Sequence, residues 1–193
     1  MLGLKLPTDP RWANIAEKNI EEILIDHAYC EQKAASTAIS FIISYPELTE
    51  LVDEMTDLAE EEMSHFKMVW QEMKKRSISL TRYGSDNYVV ELMKFFPKGG
   101  SRDERLINRL LYAGLIEARS CERFKLLSEQ LEDKQLGRFY HKLMISEANH
   151  YTLFLRLAHK YGEKESVDKK WAALLDYEAK IMQGFSGGLG VHG

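Results

Sequence analysis

The sequence has 193 residues, of which 45% are apolar and 29% are charged, so it can bury one sizeable core and is too short to require two domains. The formal net charge of −4 excludes binding to nucleic acid through the overall charge of the protein, so any RNA contact must be local. No segment approaches the roughly 18 apolar residues of a membrane span, and the start does not resemble a signal peptide. Cys30 and Cys121 are too few for a disulfide framework. We therefore predict one cytoplasmic domain over residues 1–193, with a flexible tail from about residue 184.

The first half of the chain predicts two long helices. Asp9-Pro10 is typical of a capped helix start, and apolar residues recur at helical spacing until Tyr45-Pro46. Pro46 then opens a second helix that ends at about Arg76. Because the turn between them is very short, the two helices are expected to be antiparallel neighbours. A long crossover follows over residues 77–100, with a short helix from about Asp86 to Phe96.

The second half predicts another helix pair and one additional helix. Ser101, followed by two acids, gives a capped start to a third main helix that ends at about Leu131. The fourth main helix is predicted from about Lys134 to Tyr161, and an amphipathic C-terminal helix from about Ser166 to Gln183. No useful strand-like alternation occurs, so the predicted class is all-α.

Each of the four main helices carries a glutamate on an otherwise apolar stripe, when the helices are read in alternating steps of three and four residues. Two of these glutamates are followed three residues later by a histidine. Burying four carboxylates and two imidazoles together is costly without a compensating cation. The six residues are Glu31, Glu62, His65, Glu117, Glu147 and His150.

Two Glu-x-x-His pairs and two lone glutamates are the ligand set of carboxylate-bridged di-iron and di-manganese bundles. The order also fits, because 31 residues separate Glu31 from Glu62 and 30 separate Glu117 from Glu147. We therefore predict a ferritin-like four-helix bundle with a long crossover between helices 2 and 3, an additional C-terminal helix, and two iron ions that activate dioxygen.

Several neighbouring residues are alternatives at this site. Glu60, Glu61 and Glu122 are the acids most easily confused with the ligands, and Glu122 is the main competitor of Glu117. A step of five residues turns about 140° around a helix, so Glu117 and Glu122 cannot both face the same metal pair. His27, one turn before Glu31, is either a hydrogen-bond partner of the ligands or a core histidine. Further partner candidates are Asp26, Tyr29, Tyr112 and Tyr140.

The segments around the predicted ligands also resemble a known family. LIDHAYCEQKAASTA, EEEMSHF, GLIEARSCERF and SEANHY are similar to the tRNA 2-methylthio-N6-isopentenyladenosine hydroxylases, the MiaE family, over essentially the whole chain. The resemblance implies a non-haem di-iron monooxygenase that hydroxylates the isopentenyl group of a modified adenosine beside the tRNA anticodon. It implies the same six ligands.

One basic segment favours an RNA substrate. Residues 74–109 contain nine basic and four acidic side chains, a net charge of +5, so the rest of the chain carries −9. Such a segment can contact phosphates, although charged loops are often simply solvated. The candidate tRNA contacts are Arg82, Lys94, Lys98 and Arg102, and the candidate stacking residues are Tyr83, Tyr88, Phe95 and Phe96.

The predicted oxygenase needs two external electrons. The chain has no strand–glycine turn–helix unit for a dinucleotide and too few cysteines for an iron–sulfur cluster, so a separate reductase is expected. Two other interpretations remain open at this point. One is a different di-metal oxidoreductase, such as a peroxidase, a manganese catalase or a small-molecule hydroxylase, and the other is a non-enzymatic iron-binding protein.

Overall fold

The computed structural model describes residues 2–82, 87–184 and 190–191. These residues form seven α-helices and no strand, and none of the helices is long and apolar enough to cross a membrane. The chain forms two compact units, one comprising residues 19–84 and the other comprising residues 1–18 and 85–193. The single domain over residues 1–193 stays a prediction. The helices are α1 (Arg11–Lys18), α2 (Ile20–Ser44), α3 (Thr49–Lys75), α4 (Asn87–Met93), α5 (Arg102–Gln130), α6 (Lys134–Tyr161) and α7 (Lys164–Gly184).

The unit of residues 19–84 is an antiparallel pair of α2 and α3. The turn between them spans residues 45–48, and the amide of Leu48 donates to the carbonyl of Tyr45 over 3.1 Å. Helix α3 therefore begins at Thr49 rather than at Pro46, because Pro46 lies within this turn. The predicted stripe of α3 is buried at every position, and these are Leu51, Met55, Leu58, Glu62, His65 and Val69. Glu72 and Met73 are buried as well.

The first predicted helix is interrupted, which corrects the prediction of one continuous helix from Asp9 to Tyr45. Asn19 has φ −132° and ψ 41°, outside the helical region, and separates α1 from α2. Asparagine is a weak helix former because its side chain competes for backbone hydrogen bonds. Helix α1 also has packing of its own, because it buries Trp12 and contacts α5, where the Arg123 guanidinium lies 4.4 Å from the centre of the Trp12 ring.

The second unit is built on an antiparallel pair of α5 and α6. Ser101 and Glu104 form a reciprocal capping box at the start of α5, as their spacing predicts. The Asp133 side chain accepts hydrogen bonds from the amides of Gln135 and Leu136 and begins α6. Helix α7 packs against α4, α5 and α6.

A buried ionic network joins four parts of this second unit. Arg119 on α5 is fully buried and donates to Glu122 on the same helix and to Glu178 on α7. It also donates to Thr8 Oγ1 over 3.2 Å and to the Leu6 carbonyl over 3.1 Å, which fixes the segment before α1. The Tyr88 hydroxyl of α4 donates to Glu178 Oε1 over 3.3 Å. The network therefore anchors the N-terminal segment, α4 and α7 to α5.

Part of the predicted tail is also packed. Residues 185–189 and 192–193 lie outside the described residues, but Gly190 and Val191 are described. Val191 is buried, and the Gly190 carbonyl accepts a hydrogen bond from Arg123.

Replacing Arg119 with methionine is expected to lower the free energy of unfolding by about 3–5 kcal/mol, because Glu122 and Glu178 would stay buried without their cation. For a chain of this length, each kcal/mol corresponds to about 2–4 °C in Tm. Thermal unfolding followed by circular dichroism measures the loss. The matched control is Arg138→Met at an exposed position of α6, which should change Tm little. Equal shifts in the two variants would contradict the structural role of the network.

Candidate metal centre

The unit of α2 and α3 brings three of the predicted ligands together. Glu31, Glu62 and His65 are buried, and each offers a ligand atom within 4.8 Å of the others'. His65 Nδ1 lies 3.4 Å from Glu62 Oε2 and 3.7 Å from Glu31 Oε2. The three side chains converge because α2 and α3 are antiparallel and both place these residues on the buried stripe. This cluster is the first of two candidate metal-binding clusters.

Two further side chains lie against this cluster. His27 is fully buried on α2, and its Nε2 lies 2.6 Å from Glu31 Oε1. The sequence could not decide between a core histidine and a partner of the ligands, and the structure places His27 against a predicted ligand. Glu61 Oε1 lies 3.6 Å from His65 Nε2, the nitrogen on the far side of the ring from Glu62. A carboxylate behind a histidine orients the ring toward a metal.

The ionisation states of the residues in this first cluster depend on one another. Burial alone would lower the pKa of His65, but the carboxylates of Glu31 and Glu62 raise it to about 9. Burial alone would raise the pKa of Glu31, but the His27 and His65 imidazoles hold it below its usual range. The cluster therefore favours ionised carboxylates beside a positive charge. A cation between these oxygen and nitrogen donors would satisfy the same requirement.

The unit of α5 and α6 carries the other three predicted ligands. Glu117, Glu147 and His150 are all buried, and His150 Nδ1 lies 4.0 Å from Glu117 Oε2. Gly114, one turn before Glu117, brings α5 close to α6, since a Cβ there would lie 3.4 Å from the Phe154 Cβ. This second cluster repeats the glutamate and imidazole pattern of the first cluster.

Glu122, the main competitor of Glu117, lies in different surroundings. Its two carboxylate oxygens accept hydrogen bonds from the Thr8 amide and the Thr8 hydroxyl, both over 2.7 Å, and it pairs with Arg119. Glu122 is therefore a member of the buried ionic network. Glu60 and Glu61 are exposed on α3, unlike Glu62.

The structure describes contacts of the other predicted partner candidates. The Tyr29 hydroxyl donates to the Thr81 carbonyl over 3.0 Å, and the Cys30 thiol lies 3.9 Å from Asp26 Oδ1. Tyr140 is fully buried beside Phe124, and Tyr112 contacts Phe96.

The structure also sorts the predicted RNA contacts. Arg82, Lys94, Lys98 and Arg102 are all exposed, and Lys94 pairs with Glu91 over 2.6 Å. Tyr88 is fully buried and hydrogen-bonded to Glu178, so its proposed role in stacking is wrong. Phe95 and Phe96 are half-buried, and Tyr83 lies outside the described residues.

The donor chemistry fits two transition-metal ions. Carboxylate oxygens with one imidazole per ion suit iron or manganese, and both Glu-x-x-His pairs are buried within helices rather than on loops. The buried Glu and His residues are compatible with a di-metal site. Buried donors of this kind are able to bind redox-active ions.

Comparison with a solved structure defines the class. The chain matches Protein 43 with aldehyde deformylating oxygenase activity from Synechococcus with a TM-score of 0.91 and 34% identity, over 98% of this chain and 94% of that one. The predicted all-α, ferritin-like fold is confirmed.

Sequence comparison then gives the family. Residues 2–192 match the family described as tRNA-(MS[2]IO[6]A)-hydroxylase (MiaE), and the chain belongs to this family. A tRNA 2-(methylsulfanyl)-N(6)-isopentenyladenosine(37) hydroxylase from Pseudomonas putida is 38% identical over 93% of this chain and 86% of its own length. A protein of the same name from Salmonella typhimurium is 28% identical over 84% of this chain and 77% of its own length. The resemblance in the sequence is thus confirmed, and the chain is an enzyme of the tRNA hydroxylase class.

Proposed function

We propose that this protein is a di-iron monooxygenase that hydroxylates the isopentenyl group of 2-methylthio-N6-isopentenyladenosine in tRNA. The observation that carries the proposal is the pair of buried glutamate and histidine clusters, one in each helix pair of a chain that belongs to the tRNA hydroxylase family. In this proposal the two clusters form one centre that holds two iron ions. The six ligands are Glu31, Glu62, His65, Glu117, Glu147 and His150.

The bound iron would supply dioxygen activation: one oxygen atom enters an allylic C–H bond, and the other leaves as water with two external electrons and two protons. The residues of the chain bind and orient the ions. His27 holds Glu31 from within α2, and Glu61 lies behind His65 on α3. The buried apolar side chains around the ligands, such as Leu58 and Leu143, exclude water from the centre.

The electron source and the compartment belong to the same proposal. Two cysteines, both free thiols, cannot hold an iron–sulfur cluster, so a separate reductase delivers the electrons. A tRNA substrate and free thiols fit the cytoplasm.

The direct test is mass analysis of tRNA nucleosides from cells with and without the gene. We expect the hydroxylated nucleoside to disappear and its unhydroxylated precursor to accumulate. Purified protein, iron, a reductant and the modified tRNA should restore it. An unchanged nucleoside profile would contradict the proposed substrate.

The similarity to Protein 43 gives a specific rival, since that protein is named for aldehyde deformylating oxygenase activity. The two activities differ in substrate, so one preparation can be assayed with an aldehyde and with modified tRNA under the same iron and electron supply. Turnover of the aldehyde alone would favour the rival.

The candidate tRNA contacts give a further expected result. Neutralising Arg82, Lys94, Lys98 and Arg102 together should weaken tRNA binding and flatten its salt dependence, because each phosphate contact contributes a slope of roughly 0.7–0.9 to log K against log salt. Binding measured by filter retention at several salt concentrations gives the slope. The metal content should stay that of the parent, since none of the four is a proposed ligand.

A control variant separates local contacts from total charge. It neutralises four exposed lysines on α5, α6 and α7, and these are Lys125, Lys142, Lys160 and Lys180. If both quadruple variants lose affinity and slope equally, the predicted basic segment is not the RNA surface.

A further inference from the structure

A cleft of about 550 Å³ lies in the unit of residues 1–18 and 85–193. Its walls are the connection from α4 to α5, the second turn of α5, and the first turns of α7 with the residue that precedes them. Sites that bind small molecules span about 300–1,000 Å³, so the cleft is large enough for a nucleotide. Among the described residues that line it, none is a proposed metal ligand. The cleft is therefore separate from the candidate metal centre.

Two adjacent aromatic rings form one wall. Phe95 and Phe96 line the cleft, are half-buried, and meet edge to face with their centroids 5.1 Å apart. Phe95 also contacts Tyr177 at 5.4 Å between centroids, and Phe96 contacts Tyr112 at 6.1 Å. The rings are thus held from behind by α7 and α5. A fixed, partly exposed aromatic ring is a stacking surface for a base.

The opposite wall offers hydrogen-bond donors. Lys170 Nζ donates to Asn108 Oδ1 over 2.8 Å, which orients the Asn108 side chain, and the amide N–H groups of Asn108 can donate to a ligand. Lys169 is exposed at the edge of the cleft. These donors suit the acceptor edge of a base and a phosphate.

One of the two glutamates that line the cleft is already engaged. The two carboxylate oxygens of Glu163 accept from the amides of Glu165 and Ser166, over 2.9 Å and 2.7 Å, and cap α7. The carboxylate of Glu163 therefore satisfies backbone N–H groups at the start of α7. Since lysines and glutamates both line the cleft, attraction by net charge is weak, and stacking must supply most of the affinity.

We propose that this cleft binds a nucleotide that neighbours the target adenosine in the tRNA, with its base against Phe95 and Phe96 and its phosphate beside Lys169. The inference rests on the proposed function. Asn108 precedes Glu117 by nine residues on α5, a distance of about 14 Å at 1.5 Å per residue. The base in the cleft is therefore not the modified adenine whose isopentenyl group reaches the metal centre. The cleft would distinguish RNA substrates from the free modified nucleoside.

The test compares two substrates of the iron-loaded full-length protein: a modified anticodon stem–loop RNA and the free modified nucleoside. Phe96→Leu keeps an apolar side chain and removes the ring. It should lower kcat/KM for the stem–loop about tenfold more than for the nucleoside, because stacking on one ring contributes about 1–3 kcal/mol and 1.4 kcal/mol is tenfold. Phe96→Tyr keeps the ring and should restore the efficiency on RNA.

A lysine pair tests the phosphate contact. Lys169→Ala should raise KM for the stem–loop and reduce its salt dependence. Lys180→Ala, at an exposed position three turns further along α7, should leave both as in the parent. Ultraviolet cross-linking of the stem–loop should label the peptide that contains Phe95 and Phe96.

Each outcome is decisive. If the parent hydroxylates neither substrate, the proposed function itself fails. If the parent is active but Phe96→Leu loses the same factor on both substrates, the cleft does not bind RNA and the inference is wrong. It is also wrong if Phe96→Leu changes only the KM for the electron donor, since the cleft would then receive a protein.

Discussion

Replacing His65 or His150 with alanine should leave the purified protein with at most about one iron ion per chain, where the parent holds about two, and with no measurable oxygenase activity. Each histidine is buried beside a glutamate of its own helix pair, so its loss removes one nitrogen donor and opens the site to water. The loss of activity should exceed the roughly 10–100-fold effect of removing an outer partner of a metal ligand. Iron analysis and turnover of modified tRNA measure both quantities.

The matched control is His141→Ala, on the same helix as His150 but exposed. It should bind iron and turn over substrate as the parent does. Circular dichroism must show that all three variants keep their helical content. Full iron loading and activity in both the His65 and His150 variants would show that the ligand assignment is wrong.

The second large effect separates Glu117 from Glu122. Glu117→Gln should abolish oxygenase activity, because Glu117 lies on the buried stripe beside His150. Glu122→Gln should keep its iron and most of its activity but unfold at a temperature several degrees lower, because Arg119 would lose one of its two charged partners.

Glutamine preserves the shape of both side chains, so the two variants differ only in which carboxylate is lost. Iron content, turnover and Tm are measured on the same samples. The reverse pattern, with iron lost only in Glu122→Gln, would mean that the phase of α5 is wrong by about 140°.

The helices were predictable wherever burial follows one stripe. The stripe of α6, read in alternating steps of four and three residues from Leu136 to Leu157, is buried at every position. The helix spans Lys134–Tyr161 as expected, because an apolar a/d repeat fixes both the face and the length. The capping box at Ser101 was equally local and equally predictable. The grouping of Glu31, Glu62 and His65 also follows from helix phase, once α2 and α3 are antiparallel.

What could not be predicted depends on contacts between residues that are far apart in sequence. Thr8 and Glu122 are separated by 114 residues, and Arg119 and Glu178 by 59, so no local pattern marks them as partners. The composition of α5 gave no signal either, because charged residues are frequent in this helix and are mostly expected at the surface. The contacts of His27 and Glu61 could not be predicted either, because they depend on side-chain orientations that the sequence does not specify.

The buried ionic network has a consequence for how the chain folds as it is synthesised. Arg119 needs Glu178, which leaves the ribosome 170 residues after Thr8, or roughly 10–30 s later at 5–20 residues per second. The α2–α3 hairpin is built on contacts between two helices that are adjacent in sequence, and it can form well before then. The N-terminal segment, although made first, can be fixed in place only among the last parts of the protein. Until then its binding surface on α5 is open to molecular chaperones.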